Sequence, residues 1–340
     1  MNNHTKIPEL AFIRVFCTIG IICFHFACHS EYKFACFLTY ASASVGTILV
    51  SIFFILSGAV LYYNYNTISS VKVFYYKRWK ALFPSFYICF LFFYLWSVIK
   101  AGTFIYGAPA WTLLLTVIGY DGYLLEFIPN YYIVGEWFLG AIISLYLIYP
   151  LLVNTFKSKK TILVSTVILL CIYIICLKFT SFSARNLFYC MFMFFVGMLI
   201  MKFYRSISNN IYIIFIALAV FFIPQFVNFK LSSIALTHLL GISLFIILLY
   251  VGSLLKRLSS SKFVKYLSKI SFQMFLLQHV VIVNILQIYN PASIYLSSLT
   301  LLICILVTVI GATILKTASD ILFKISFIEK IDKRLSKTVT

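Results

Sequence analysis

Long apolar runs, broken by short polar ones, recur from one end of the chain to the other. A membrane-spanning helix needs about 20 mostly apolar residues. Ten stretches qualify: 8–28, 44–64, 81–99, 135–155, 161–178, 187–203, 211–227, 232–254, 268–288 and 295–318. The strict apolar–polar alternation of barrel strands is missing. The fold class predicted is all-α: a polytopic membrane bundle of about ten transmembrane helices. Residues 100–134 break the rhythm with Gly102, Gly107, Pro109, Gly119, Asp121, Gly122, Glu126 and Pro129. That stretch reads as a long, partly irregular loop, with an interfacial or re-entrant piece around Trp111–Ile118. The whole chain, 1–340, reads as one transmembrane domain ending in a basic cytoplasmic tail over 319–340. No loop is long enough for a separate soluble catalytic domain, so any chemistry belongs in the membrane or at its surfaces.

Composition agrees. The 340 residues are 63% hydrophobic and 10% charged, with a mean hydropathy of +1.05. Soluble domains average about 25% charged and cannot hide so much apolar surface. The net charge of +19 would suggest nucleic acid in a soluble protein. Here the basic residues sit between apolar runs, where they set topology. With the N-terminus in the cytoplasm, 21 of the 27 Lys and Arg fall on inner segments and 5 on outer ones. Arg14, inside the first span, is the remaining one. This bias predicts that both termini are cytoplasmic. The nine cysteines are scattered through apolar runs and read as small apolar fillers. No metal is expected.

The stretch FIRVFCTIGIICFHF, residues 12–26, carries Arg14 and His25 inside the first span. Eleven residues at 100° each make three turns plus about 20°, so the two share one helix face. They lie roughly 16 Å apart along the axis. A charge within the bilayer costs at least about 2.5 kcal/mol and usually faces a bundle interior, where it marks a site. The ordinary alternatives are an arginine snorkelling to nearby headgroups and a histidine bonded within the core.

Other residues add to this pair. Lys77, Arg78 and Lys80 precede the third span at its inner side. They read either as topology anchors or as an anion site helped by the helix N-terminus. Ser57 and Gly58 lie mid-helix in the second span, where a small pair allows close packing. Glu136 and Trp137 stand at an outer boundary. Gln278 and His279 fall in the outer half of the ninth span.

Taken together, these segments resemble the acyltransferase-3 family of integral membrane O-acyltransferases. The family's Arg-x10-His pattern matches Arg14 and His25. Its FFxxSG motif matches Phe53, Phe54, Ser57 and Gly58. Its basic cluster followed by proline matches Lys77, Arg78, Lys80 and Pro84. A WFL…Y…P segment matches Trp137, Phe138, Leu139, Tyr146 and Pro150. A late Ser-aromatic…Leu-Leu-x-His segment matches Ser271, Phe272, Phe275, Leu276, Leu277 and His279. Departures fall at Ala11, Ala81, Ile142, Ile143 and Gln278, where members often carry other residues or spacings.

The resemblance implies a multi-pass enzyme of the plasma or inner membrane. It would move an acyl group, most often acetyl, from cytoplasmic acyl-CoA to a hydroxyl of a cell-surface or envelope polysaccharide. Acetyl-CoA would be the donor substrate, and a surface or lipid-linked glycan the acceptor. His25 and Arg14 would be catalytic. Lys77, Arg78, Lys80 and Ser57 would serve the donor. Glu136, Trp137 and His279 would stand on the acceptor side. Two rivals are a transporter or flippase for a glycan or lipid-linked sugar, and a non-catalytic partner of a polysaccharide assembly machine. The absence of a repeat between the chain's halves disfavours the transporter.

Overall fold

The computed structural model describes residues 7–105, 107–135, 137–179, 185–227 and 229–324. It is 81% helical, with one two-stranded hairpin among the described residues. A helix stands in each of the ten expected spans. We number them α1 (Pro8–His29), α2 (Val45–Tyr65), α3 (Val71–Ala101), α4 (Trp137–Asn154), α5 (Lys159–Phe179), α6 (Leu187–Lys202), α7 (Ile211–Phe222), α8 (Ser233–Leu254), α9 (Lys262–Ile288) and α10 (Ile294–Lys324). Eight are long and apolar enough to span a membrane, while α6 and α7 are shorter. Helix starts follow local chemistry. Asn186, Asn210, Ser232 and Ser261 each accept a backbone N–H of the first turn through the side chain. Gly102 ends α3 in the left-handed conformation that a glycine adopts without strain.

Burial sorts the helices into centre and rim. In α2, 67% of the apolar window is buried, against 22% in α5. α2 is therefore central, α1 and α4 follow it with half of each window buried, and α5 belongs to the rim. α1 packs against α2, α8 and α9, and α9 packs against α10 and α3. The most extensive pairing joins α2 to α6. It rests on two glycines: a Cβ on Gly58 would lie 1.9 Å from the Phe194 carbonyl oxygen, and one on Gly197 would lie 1.9 Å from that of Ile55. Gly58 thus has a packing reason to be glycine.

Four boundaries differ clearly from the sequence reading, one of them the start of α9 at Lys262 rather than 268, where Ser261 caps the helix. α3 begins at Val71 rather than 81, because nothing in VKVFYYKRWK breaks a helix and Ser70 caps it. Lys77, Arg78 and Lys80 therefore lie inside the helix, roughly 9–14 Å from its start. The expectation that a helix N-terminus reinforces them is corrected, since that effect fades within the first turn. α7 gives way after Phe222 to a 3-10 turn at Ile223–Gln225, where Pro224 cannot continue the ladder. α10 runs on through Lys324, so the first part of the expected tail is helical. The rest of that tail lies outside the described residues, as does Glu136.

The irregular stretch between α3 and α4 contains helical pieces at Ala110–Thr112, Leu113–Ile118 and Asp121–Leu124. The first two coincide with the expected interfacial piece. The Tyr87 hydroxyl donates to Val117 O at 2.6 Å, and the Tyr120 and Ser144 hydroxyls bond at 2.5 Å. These bonds press the segment onto α3 and α4.

Candidate active site

The chemistry-bearing residues gather at the two ends of α1's polar face. At the first end, Arg14 is half-buried and its Nη1 donates to Ser268 Oγ of α9 at 3.5 Å. It stands within electrostatic reach of Arg78 on α3 and Tyr146 on α4. Arg78 turns inward, as the apolar surroundings of α3 allow only if aromatic faces receive its charge. Its guanidinium carbon lies 5.0 Å from the Tyr65 ring centre, 5.8 Å from Tyr146 and 5.9 Å from Phe74. Its Nη2 donates to the Tyr65 hydroxyl at 3.1 Å, while its Nε is buried with no partner among the described residues. Neither guanidinium meets a carboxylate among the described residues. Two neighbouring cations with no carboxylate partner among the described residues can receive an anion.

The other cations of the cluster point elsewhere. Lys77 is exposed and Lys80 half-buried. Arg78 and Lys80 are two residues apart, about 200° around the helix, so they cannot share a face. Ser57 is half-buried on α2 beside the tightly packed Gly58.

At the far end of α1, three histidines meet. The His25 and His279 rings stack with centres 5.2 Å apart. His29 Nε2 lies 3.1 Å from His279 Nε2. His25 and His279 are half-buried and His29 is exposed. Asn290, after α9, accepts from Glu31 N at 2.8 Å and donates to His29 O at 3.3 Å. These bonds tie the end of α1 to the end of α9 and hold the rings together. The structure thus brings His25 together with His279. Sequence reasoning passed over His29, although its spacing of four from His25 puts both imidazoles on one helix face.

Between the two ends, α9 carries buried amides. Gln273 Nε2 donates to Ser85 Oγ of α3 at 2.8 Å, leaving its Oε1 with no partner among the described residues. Gln278 is 1% exposed, and neither of its amide atoms has such a partner. Buried polar groups of this kind inside a membrane bundle mark functional paths more often than packing.

A second group stands apart. His238 of α8, also passed over in the sequence, bonds through Nδ1 to the Tyr173 hydroxyl at 2.8 Å. With Thr47, Ser51, Trp137, Cys190 and Thr237 it lines a small cavity. Trp137 packs on Phe54 at 6.0 Å and lies under the Arg185 guanidinium at 5.9 Å. Arg185 in turn pairs with Glu126 at 2.7 Å. Within the loop, Asp121 is 2% exposed and accepts from the Thr116 hydroxyl at 2.8 Å. Burial pushes its carboxyl up to about 7, and the Thr116 bond offsets only part of that.

The apolar helices, with Arg14 and Arg78 near one end of α1 and three imidazoles near the other, describe a membrane protein with polar groups set inside its bundle. A family model described as an acyltransferase domain matches residues 7–317. The chain belongs to the acyltransferase-3 family. No curated protein and no solved structure gives a significant match.

Proposed function

We propose that this membrane acyltransferase moves an acetyl group from cytoplasmic acetyl-CoA to a hydroxyl of a cell-surface or envelope polysaccharide, within the plasma or inner membrane. The observation that carries this reading is the α1 face that has Arg14, with Arg78 of α3 nearby, at one end and His25 at the other. With the N-terminus in the cytoplasm, the arginine end faces the donor and the histidine end faces the acceptor. Lys77 and Lys80 raise the local concentration of a polyanionic donor by long-range attraction. Arg14 and Arg78 bind its phosphates. The pantetheine arm then lies along the 16 Å or so between Arg14 and His25, with Gln273 available to its amides and Ser57 on the donor side.

A sugar hydroxyl is a weak nucleophile until a base takes its proton. His25 takes that proton as the oxygen attacks the thioester carbonyl. The C–S bond then breaks, the new ester C–O bond remains, and the proton passes to the departing thiolate to give the free CoA thiol. His279, stacked on His25, orients the base. Trp137, with Glu136 beside it in the chain, serves the acceptor.

The test uses sealed membrane vesicles with labelled acetyl-CoA supplied to one face and native glycan present. Alkali-labile label on the glycan, formed only from the cytoplasmic face, is the expected result. No label from either face would contradict the donor assignment.

A further inference from the structure

We propose that His25, His29 and His279 form a site for a first-row divalent metal ion at the far end of α1, and that its occupation blocks acyl transfer. The second clause rests on the role given to His25 above; the first does not. One ligand nitrogen from each ring falls in a group whose members all lie within 4.8 Å of one another. Three nitrogens holding one Zn²⁺ at 2.0–2.1 Å with tetrahedral angles would stand about 3.3 Å apart. The His29–His279 pair is already at 3.1 Å, so a small rotation of His25 completes the set.

Two features of the chain support the site. His25 and His29 are four residues apart on one helix, a spacing that presents two imidazoles to one ion. Asn290 fixes the third ligand's helix against the first through Glu31 N and His29 O, so the site is built before the ion arrives. The donor set is nitrogen only, which selects Zn²⁺ and its first-row neighbours over Mg²⁺ or Ca²⁺. His29 is exposed, so an ion in the aqueous phase has a way in.

A metal takes the lone pair that His25 would use to accept the acceptor's proton. Three protein ligands also leave a fourth position for water, and that water occupies the space the sugar hydroxyl needs. The ion therefore acts as a reversible stop on the reaction.

The experiment titrates Co²⁺ into the full-length protein in lipid nanodiscs and reads its visible absorption, with Zn²⁺ competition and acyl transfer measured in parallel. We expect one equivalent bound, binding weakened at least tenfold by His29→Ala and by His279→Ala, and no change with His238→Phe. Zn²⁺ displaces the cobalt and lowers acyl transfer at least tenfold, and a chelator restores it. No binding, or binding untouched by both His29→Ala and His279→Ala, overturns the site. Metal bound with full transfer, or transfer only when metal is bound, overturns the block. Metal bound as expected, with no transfer in metal-free protein, leaves the site standing and counts against the acyl-transfer reading instead.

Discussion

Replacing Gly58 by alanine tests how the centre of the bundle is held. The new Cβ would sit 1.9 Å from Phe194 O and 2.8 Å from Phe194 C, whereas ordinary contact begins near 3.4 Å. The obstacle is backbone, so no rotamer change relieves it. α2 and α6 must separate by about 1.5 Å along the contact, and their interlocked core side chains move with them. Overpacking usually costs about 1–3 kcal/mol, and a rigid helix–helix contact belongs at the upper end. Gly197→Ala makes the mirror-image clash with Ile55 O and should cost a similar amount. The double variant should cost less than the two together, because one separation relieves both clashes. Gly20→Ala is the control: its Cβ meets only Leu49 Cδ1 at 2.7 Å, the end of a flexible side chain. The assay is the unfolding midpoint in nanodiscs at a fixed heating rate, with variants compared side by side. If Gly58→Ala unfolds no earlier than Gly20→Ala, the close α2–α6 contact is not as described.

Three further outcomes follow from the site and its surroundings. Arg78→Ala should raise the KM for acyl-CoA at least tenfold with a smaller effect on kcat, and Arg78→Lys should restore little, because an ammonium cannot both bond Tyr65 and lie across its neighbours' rings; equal kinetics in all three would remove Arg78 from donor binding. Tyr173→Phe deprives His238 Nδ1 of its buried partner and should cost about 1–3 kcal/mol of stability, seen as an earlier unfolding midpoint, while acyl-CoA affinity stays unchanged. Asp121 holds its proton up to about pH 7 when folded, against 3.8 for an ordinary aspartate. The native segment therefore binds more protons than the unfolded one between those values, and its stability falls as pH rises through that window, by up to about 4 kcal/mol. Hydrogen exchange over 113–124, corrected for intrinsic rates, should show more protection at pH 5 than at pH 7.5, and Asp121→Asn should erase the difference.

The helices were legible because each span's apolar run is a physical requirement of the bilayer, visible without any partner. Their ends were less so. Polar residues can continue a helix beyond the apolar run, so ten residues of α3, from Val71 to Lys80, lay outside the expected span. Arg14 and His25 could be placed on one face from their spacing alone, because a helix fixes that angle. The company they keep could not. Arg78 beside Tyr146, and His279 beside His29, join helices distant in the chain, and only packing sets those distances. His29 had a local signal in its spacing from His25. His238 had little, since a single histidine in an apolar helix looks the same whether or not Tyr173 awaits it across the bundle.

His25 is proposed to take part in acyl transfer from a donor bound at the arginine end. The most direct measurement supplies labelled acetyl-CoA to the cytoplasmic face of membranes holding wild-type protein or His25→Ala at equal abundance, and follows alkali-labile ester on the glycan. Wild type should give label and the variant at least a hundredfold less, as loss of a general base typically costs about 10²–10⁴ in rate. Equal label in both would contradict that role and move the chemistry away from α1.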